Sequence, residues 1–214
     1  APSGARVVPV TATNAADIVR AADERGALAR GMGRSYGDAA QNGGGLVLRL
    51  AGDADEAVLD TARHEITVGG GVSVDDLLRV IVPKGYFVPV TAGTRFVTIG
   101  GAIASDIHGK NHHVDGSFGN HVRRMRLLTA SGAVVSISPT EDAPLFWATI
   151  GGMGLTGIVL DATIALLPIE TSRLVVDTTR AHDLDHVMTL MEEGDDRYRY
   201  AVAWIDLMST GAAC

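Results

Sequence analysis

Residues 30–45 read RGMGRSYGDAAQNGGG. Six glycines in sixteen residues do not belong inside a helix or strand, where each costs about 0.5–1 kcal/mol against alanine. A chain carries such a run where its backbone turns sharply or comes close to something else. Gly31 and Gly33 free backbone N–H groups to point into one concavity, a nest suited to an anionic phosphate. A plain glycine-rich turn is the alternative reading, and it leaves Arg34, Ser35 and Tyr36 unexplained. The loop is not a Walker loop, because no Gly-Lys-Ser/Thr follows. Nor is it the dinucleotide fingerprint, because position 36 is tyrosine.

The segments around this loop mix strand and helix signals. Residues 13–25 place Ala16, Ile18, Val19 and Ala22 on one side of a helix, with Thr13 or Asn14 as N-cap and Gly26 as stop. ALAR (27–30) predicts a short strand entering the loop. LVLRL (46–50), EITVG (65–69) and YFVPV (86–90) predict strands, and SVDDLLRVIVPKG (73–85) predicts an amphipathic helix opened by Ser73 with Asp76 three positions on. The small residues of TIGGAIAS (98–105) suit a tightly packed helix. Residues 123–138 predict a hairpin turning at Ser131-Gly132, and EDAPLFWATIGG (141–152) a short helix. In GIVLDATIALLPI (157–169), Ile158, Leu160, Ala162, Ile164 and Leu166 alternate onto one strand face. Without regular β-α alternation, the class is α+β. After Pro168 a strand (171–179), an acidic helix (181–196) and a strand (198–208) open a second unit. We expect domains at 1–170 and 171–214.

Hydrophobic content of 46%, charged content of 20% and a net charge of −7 describe a globular chain without the basic surface that nucleic-acid binding needs. No apolar run reaches the roughly 18 residues of a membrane span. The first residues lack the charged-then-apolar pattern of a signal peptide, so the cytoplasm or the periphery of the cell membrane and envelope is the expected location. The single cysteine, Cys214, excludes an internal disulfide framework and any cysteine-based zinc site. Its place as final residue leads us to expect a longer parent chain.

Two further motifs carry competing readings. Gly152-Met-Gly154-Leu-Thr-Gly157 matches G-x-G-x-x-G but follows a helix and precedes a strand, the reverse of the dinucleotide-binding order. A close backbone approach to a ligand or a neighbouring strand remains. DIHGKNHH (106–113) gathers Asp106, His108, Lys110, His112 and His113. A metal site would need helical spacing that Gly109 and Asn111 oppose, so no metal is expected. The alternatives are histidines that cap a loop, or a polar active-site wall. Phe146 and Trp147 read as core. Arg123, Arg124 and Arg126 read as a solvated edge strand, and Glu192, Glu193, Asp195 and Asp196 as a solvated helix end.

Taken together, GMGRSYGD (31–38), VPVTAGTRFVTIGGAIASDIHGKNHH (88–113), GSFGNHV (116–122) and LFWATIGGMGLTG (145–157) resemble the FAD-binding domain of vanillyl-alcohol oxidase type flavoproteins. Within that family they are most similar to the oxidase subunits of decaprenylphosphoryl-ribose 2′-epimerases. The resemblance is strong over residues 7–170 and weak over 171–209. It implies two α+β subdomains holding an extended FAD, with a separate substrate-binding cap beginning after residue 170. It implies cofactor contacts from Gly31, Met32, Gly33, Arg34, Ser35 and Tyr36 at the pyrophosphate. Gly93, Thr94, Thr98, Gly100, Gly101, Ser105, His108 and Gly109 would line the flavin cleft, and Gly154, Gly157 and Ile158 the adenosine end. His108, Lys110 and Tyr36 would reach the substrate.

The implied reaction oxidises a secondary alcohol of a lipid-linked sugar, as the first half of a 2′-epimerisation serving cell-wall arabinan synthesis. A reductase subunit would complete it, and the lipid-linked substrate implies peripheral contact with a membrane. Abstraction of the hydroxyl proton needs a positioned base, for which a buried lysine could serve. The cap and C-terminal segment of the family also supply active-site groups, so residues 1–214 alone are expected to turn over negligibly. Many relatives tether the flavin through a histidine at the position of Arg34, and no cysteine replaces it, so FAD is expected to be non-covalent. Ser105 stands where relatives often carry cysteine, and its small hydroxyl should fit. Two other functions fit the same residues: an oxidase of a soluble polyol or aldonolactone, and an inactive flavin-fold binding module.

Overall fold

A computed structural model describes residues 4–11 and 13–206. The chain begins with β1 (Arg6–Val10), α1 (Ala15–Arg20), β2 (Ala27–Ala29) and β3 (Leu46–Leu50). The three strands form a parallel sheet in the order β1-β3-β2. β1 was not anticipated. α1 stops at Arg20, short of the 13–25 pattern, and Gly26 (φ 66°) closes the turn into β2. Asn14 is the N-cap residue, but its Oδ1 accepts the amide of Thr11 rather than one from the first helical turn.

Next come β4 (Val58–Asp60), β5 (Glu65–Gly69), α2 (Val74–Ile81), β6 (Tyr86–Phe87), α3 (Ile99–Ala104) and the single turn α4 (His112–Asp115). They are followed by β7 (Val122–Leu128), β8 (Val134–Ile137), α5 (Ala143–Thr149), β9 (Ile158–Ala165), β10 (Leu167–Pro168) and α6 (Leu184–Gly194). A five-stranded antiparallel sheet runs β4-β5-β9-β7-β8, and β6 pairs with β10. Parallel and antiparallel sheets with helices between them make this a mixed α/β-containing chain, in line with the α+β expectation. α2 starts as its sequence predicts. Ser73 Oγ accepts the amide of Asp76 at 3.1 Å and donates to its carboxylate at 2.6 Å.

Two apolar clusters hold these layers. The larger packs Leu77 and Ile81 of α2, Ile99 and Ile103 of α3, Phe118 and Phe146 against Ile66, Met125, Ala162 and Ile164 of the sheet. The smaller joins Val10, Ala15, Leu46 and Leu48 to Leu128, Ile158 and Leu160. Each large side chain so buried contributes about 1.5–3 kcal/mol.

β9 therefore serves both clusters, which corrects the single face expected for Ile158 through Leu166. Arg126 of β7 pairs with Asp161 and the next residue, Leu127, with Val159. Leu160 is the extra residue of a β-bulge, and such an insertion reverses the alternation of sides. Ala162 and Ile164 thus enter the larger core while Ile158 and Leu160 enter the smaller one.

Other expectations also change. Arg123, Arg124 and Arg126 are exposed, as expected, but β7 is not an edge strand: β9 pairs along it, and β8 covers its other side from Met125 to Leu128. The arginines are paired: Arg126 with Asp161, Arg124 with Thr163 Oγ1 at 3.1 Å, Arg123 with Glu65 at 3.4 Å. Phe146 is core, but Trp147 is half exposed and meets Phe146 edge-on. Only Tyr86 and Phe87 of the 86–90 run pair as strand, because Pro89 cannot donate to a ladder. Residues 171–179 and 198–206 form no strand. Val175 and Trp204 are 95% and 90% exposed, and an extended segment needs a partner to become a strand. Residues 207 and 208 of the last predicted strand, and Cys214, lie outside the described residues.

Candidate cofactor site

The 30–45 loop leaves β2 and returns at β3. Asn42 fastens its far end, donating from Nδ2 to the carbonyls of Gly26 (3.2 Å) and Leu46 (3.1 Å). Gly33, Gly37 and Gly44 take left-handed φ angles of 65°, 66° and 78°, which side chains other than glycine resist. Residues 31–39 are exposed. Among the described residues, none of the amides of 31–37 bonds a protein acceptor, so the loop presents donors to whatever lies above it.

Gly31 brings this loop against α3. A Cβ on Gly31 would lie 2.3 Å from Thr98 Oγ1. That oxygen accepts the Gly101 amide at 3.1 Å and caps α3. Small residues let α3 sit deep in the fold. Gly100 donates to the carbonyl of Gly70 at 2.8 Å, and a Cβ on Gly100 would be 3.1 Å from that oxygen. Gly70 is itself wedged against the β9 bulge, where a Cβ would meet Val159 O at 2.1 Å. Three consecutive glycines, Gly69-Gly70-Gly71, are the sequence signal of this close packing.

Past α3 the chain turns at Asp106, whose Oδ1 accepts the Gly119 amide at 2.8 Å. Gly109 fits against the 91–94 segment, since a Cβ there would reach Thr91 O at 2.5 Å. Gly93 has open space beside it. Ser105, His108 and Lys110 are exposed. His108 and His112 face each other with ring centroids 5.7 Å apart. Residues 151–153 meet the other end of α3, Gly151 N donating to Ile103 O and Met153 N to Ala104 O. Gly154 is open beside its Cα, whereas Gly157 (φ 149°) packs on Leu128 O and Ile158 is buried in the smaller core. Tyr36 is 99% exposed and stands in solvent rather than against His108 or Lys110.

A second group of contacts, absent from the sequence reading, surrounds Asp115. Arg199 and Asn111 both donate to its carboxylate. Burial alone would raise its pKa, but the bonds from Arg199 and Asn111 and the nearby charges of Arg199 and His121 outweigh it, and the carboxyl stays below the usual range. Separately, an open groove of about 830 Å³ lies over the face of the five-stranded sheet that carries Thr67, Arg124, Arg126 and Asp161. None of the glycine-loop residues lines it.

The family model described as the FAD binding domain matches residues 3–138. The chain belongs to the FAD-binding domain family. Its cofactor is FAD, and the features above fit that ligand: exposed amides for a pyrophosphate, and unfilled space beside Gly93 and Gly154. This FAD-binding domain is 50% identical over 196 residues to decaprenylphosphoryl-beta-D-ribose oxidase of Mycolicibacterium smegmatis, covering 90% of this chain and 43% of that protein. It is 46% identical over 142 residues to an uncharacterized Streptomyces coelicolor protein (66% and 38% coverage). It is 34% identical over 161 residues to alditol oxidase of a Streptomyces species (75% and 38%). The chain thus spans less than half the length of these relatives. Among the described residues, no helix is long and apolar enough to cross a membrane.

Proposed function

We propose that this FAD-binding domain is the flavin-holding part of an oxidoreductase that converts a secondary alcohol of a lipid-linked ribose to a ketone. The observation that carries the reading is the contact of Gly31 with Thr98. It sets the exposed amides of 31–37 beside the helix that leads to Ser105, His108 and Lys110. The substrate class is supported by the 50% identity to a protein named decaprenylphosphoryl-beta-D-ribose oxidase.

In this reading the amides and side chains of Gly31, Met32, Gly33, Arg34, Ser35 and Tyr36 hold the pyrophosphate. Gly93, Thr94, Thr98, Gly100, Gly101, Ser105 and Gly109 edge the flavin cleft. Gly154, Gly157 and Ile158 approach the adenosine end, the last two through backbone. FAD, when bound, supplies the two-electron acceptor for alcohol oxidation. His108 and Lys110 orient the substrate hydroxyl and help its proton leave, with Tyr36 closing over the site when a ligand draws the loop inward. Arg34 pairs with phosphate and forms no bond to the flavin, so FAD is held non-covalently. The two sheets correspond to the two subdomains of the vanillyl-alcohol oxidase type. Residues 1–170 make up the cofactor domain, and 171–214 begin a cap. A reductase subunit completes a 2′-epimerisation for cell-wall synthesis at the membrane surface.

The 34% identity to an alditol oxidase favours one second reading, an oxidase of a soluble polyol. Anaerobic mixing separates the two when it uses the FAD-loaded protein with its whole cap, since residues 1–214 alone should turn over negligibly: of decaprenylphosphoryl ribose and a free alditol, the true substrate class bleaches the flavin band. A purified protein that stays colourless with added FAD would exclude both and leave a binding module without catalysis. Acid precipitation should leave the flavin in the supernatant. Yellow colour in the pellet would refute the non-covalent reading of Arg34.

A further inference from the structure

Residues 198–201 cross the 108–115 loop and are fastened to it at three places. Arg199 donates from Nε to Asp115 Oδ2 at 2.8 Å and from Nη2 to Oδ1 at 2.6 Å. The Tyr198 carbonyl meets His113 Nε2 at 2.9 Å. The Ala201 amide donates to the Lys110 carbonyl at 2.9 Å. Asn111, fully buried, donates from Nδ2 to Pro89 O at 2.7 Å and to Asp115 Oδ2 at 2.6 Å.

The turn that these contacts grip cannot hold itself. α4 has four residues, and its N-cap Asn111 makes no side-chain capping bond. One turn of helix lies far below the length at which helices persist unaided. Contacts from outside it set its position: the His108–Ser117 bridge, His121 Nε2 against the Asp115 carbonyl at 2.9 Å, and, alone in fixing the Asp115 carboxylate from the 198–201 segment, the paired charged hydrogen bonds of Arg199. A guanidinium fork sets the plane of a carboxylate as well as its distance. Asp115 then orients Asn111, and Asn111 ties the loop to Pro89, two residues before the Thr91 carbonyl that Gly109 touches.

We propose that Arg199 is a positioning residue. Acting through Asp115 and Asn111, it sets where the His108-Gly109-Lys110 turn stands relative to residues 91–94, and so how those side chains address the flavin. The proposal rests on the reading of residues 93–110 as the edge of the flavin cleft. It makes the segment after the FAD-binding domain part of the site's geometry.

The test uses the FAD-loaded protein and its Arg199→Ala, Arg199→Lys and Asp115→Asn variants. Readouts are the visible flavin band, the midpoint potential and the unfolding midpoint. In Arg199→Ala we expect FAD to remain bound while the band and potential move toward those of free FAD. Arg199→Lys, keeping the charge without the fork, should fall between, and Asp115→Asn should match Arg199→Ala. If Arg199→Ala does not fold, the other two variants carry the comparison. A lower unfolding midpoint with unchanged band and potential in all three would overturn the proposal, since a purely structural clasp does only that. A wild-type protein that takes up no FAD removes the cleft reading and this proposal together, and it is recognised before any variant is made.

Discussion

Gly31 and Thr98 share one oxygen's worth of space. A methyl group on the glycine would sit 2.3 Å from the threonine's Oγ1, and that same oxygen caps α3 through the Gly101 amide. The loop's approach and the helix's first turn are therefore coupled. The glycine loop from the parallel sheet meets the helix packed on the antiparallel sheet at this contact.

Gly31→Ala should force Thr98 to turn away and lose its cap, a cost of about 1 kcal/mol, with the unfolding midpoint falling by about 2–4 °C. In a Thr98→Ala background the cap is already gone and the clashing oxygen with it, so adding Gly31→Ala should cost less than it does alone. Thermal unfolding of both single variants and the double variant measures the coupling. Strictly additive losses would show that the two residues do not compete for this space.

Gly70→Ala should be far more damaging. Its Cβ would meet Val159 O at 2.1 Å, backbone against backbone, and no rotamer change relieves that. Because that Cβ is fixed to the main chain and meets a backbone oxygen, we expect a loss beyond about 3 kcal/mol or a failure to fold, read by denaturant unfolding. A mild effect would mean that the bulge at Leu160 can shift.

Gly93→Ala separates folding from binding. A Cβ there meets nothing within 4 Å, so stability should stay within about 0.5 kcal/mol of the parent. If this glycine edges the flavin cleft, FAD affinity should fall by about tenfold or more, the equivalent of about 1.4 kcal/mol. Fluorescence titration with FAD reads the affinity, and unchanged binding would remove Gly93 from the cleft.

The Asp115 contacts predict a pH signature. Burial pushes this carboxyl up, but the bonds from Arg199 and Asn111 hold it below the usual range. A group whose pKa is depressed by folding contributes fully above its unfolded value, about 3.9. That contribution is lost as pH falls through the folded value. Asp115→Asn should therefore be less stable than the parent at neutral pH, and the gap should close below about pH 4. Unfolding midpoints across that range test the sign; a gap that widens in acid contradicts it.

The readable parts of the fold were those decided locally. Ser73 and Asp76 announced α2 because a cap and its first turn lie within four residues. LVLRL and EITVG alternated over five, and Ser131-Gly132 sat between two strands. The glycine loop was legible because left-handed φ angles and close approaches leave their mark on residue type. The cofactor family could be recognised for the same reason, since its motifs are long and contiguous.

What escaped was set by distant partners. No local pattern tells that β9 carries an extra residue opposite β7 and so sends Ile158 and Leu160 to a different core from Ala162 and Ile164. Residues 171–179 and 198–206 have strand-like composition, but a strand exists only when another supplies its ladder. Trp147 shares a helix with Phe146, and only the packing of that helix decided which of the two is covered. By itself the sequence determined the turns, the caps and the glycine loop, because those depend on neighbours along the chain. The tertiary structure alone decided that Gly31 would close on Thr98 and that Arg199 would grip Asp115, because those contacts join residues 67 and 84 positions apart.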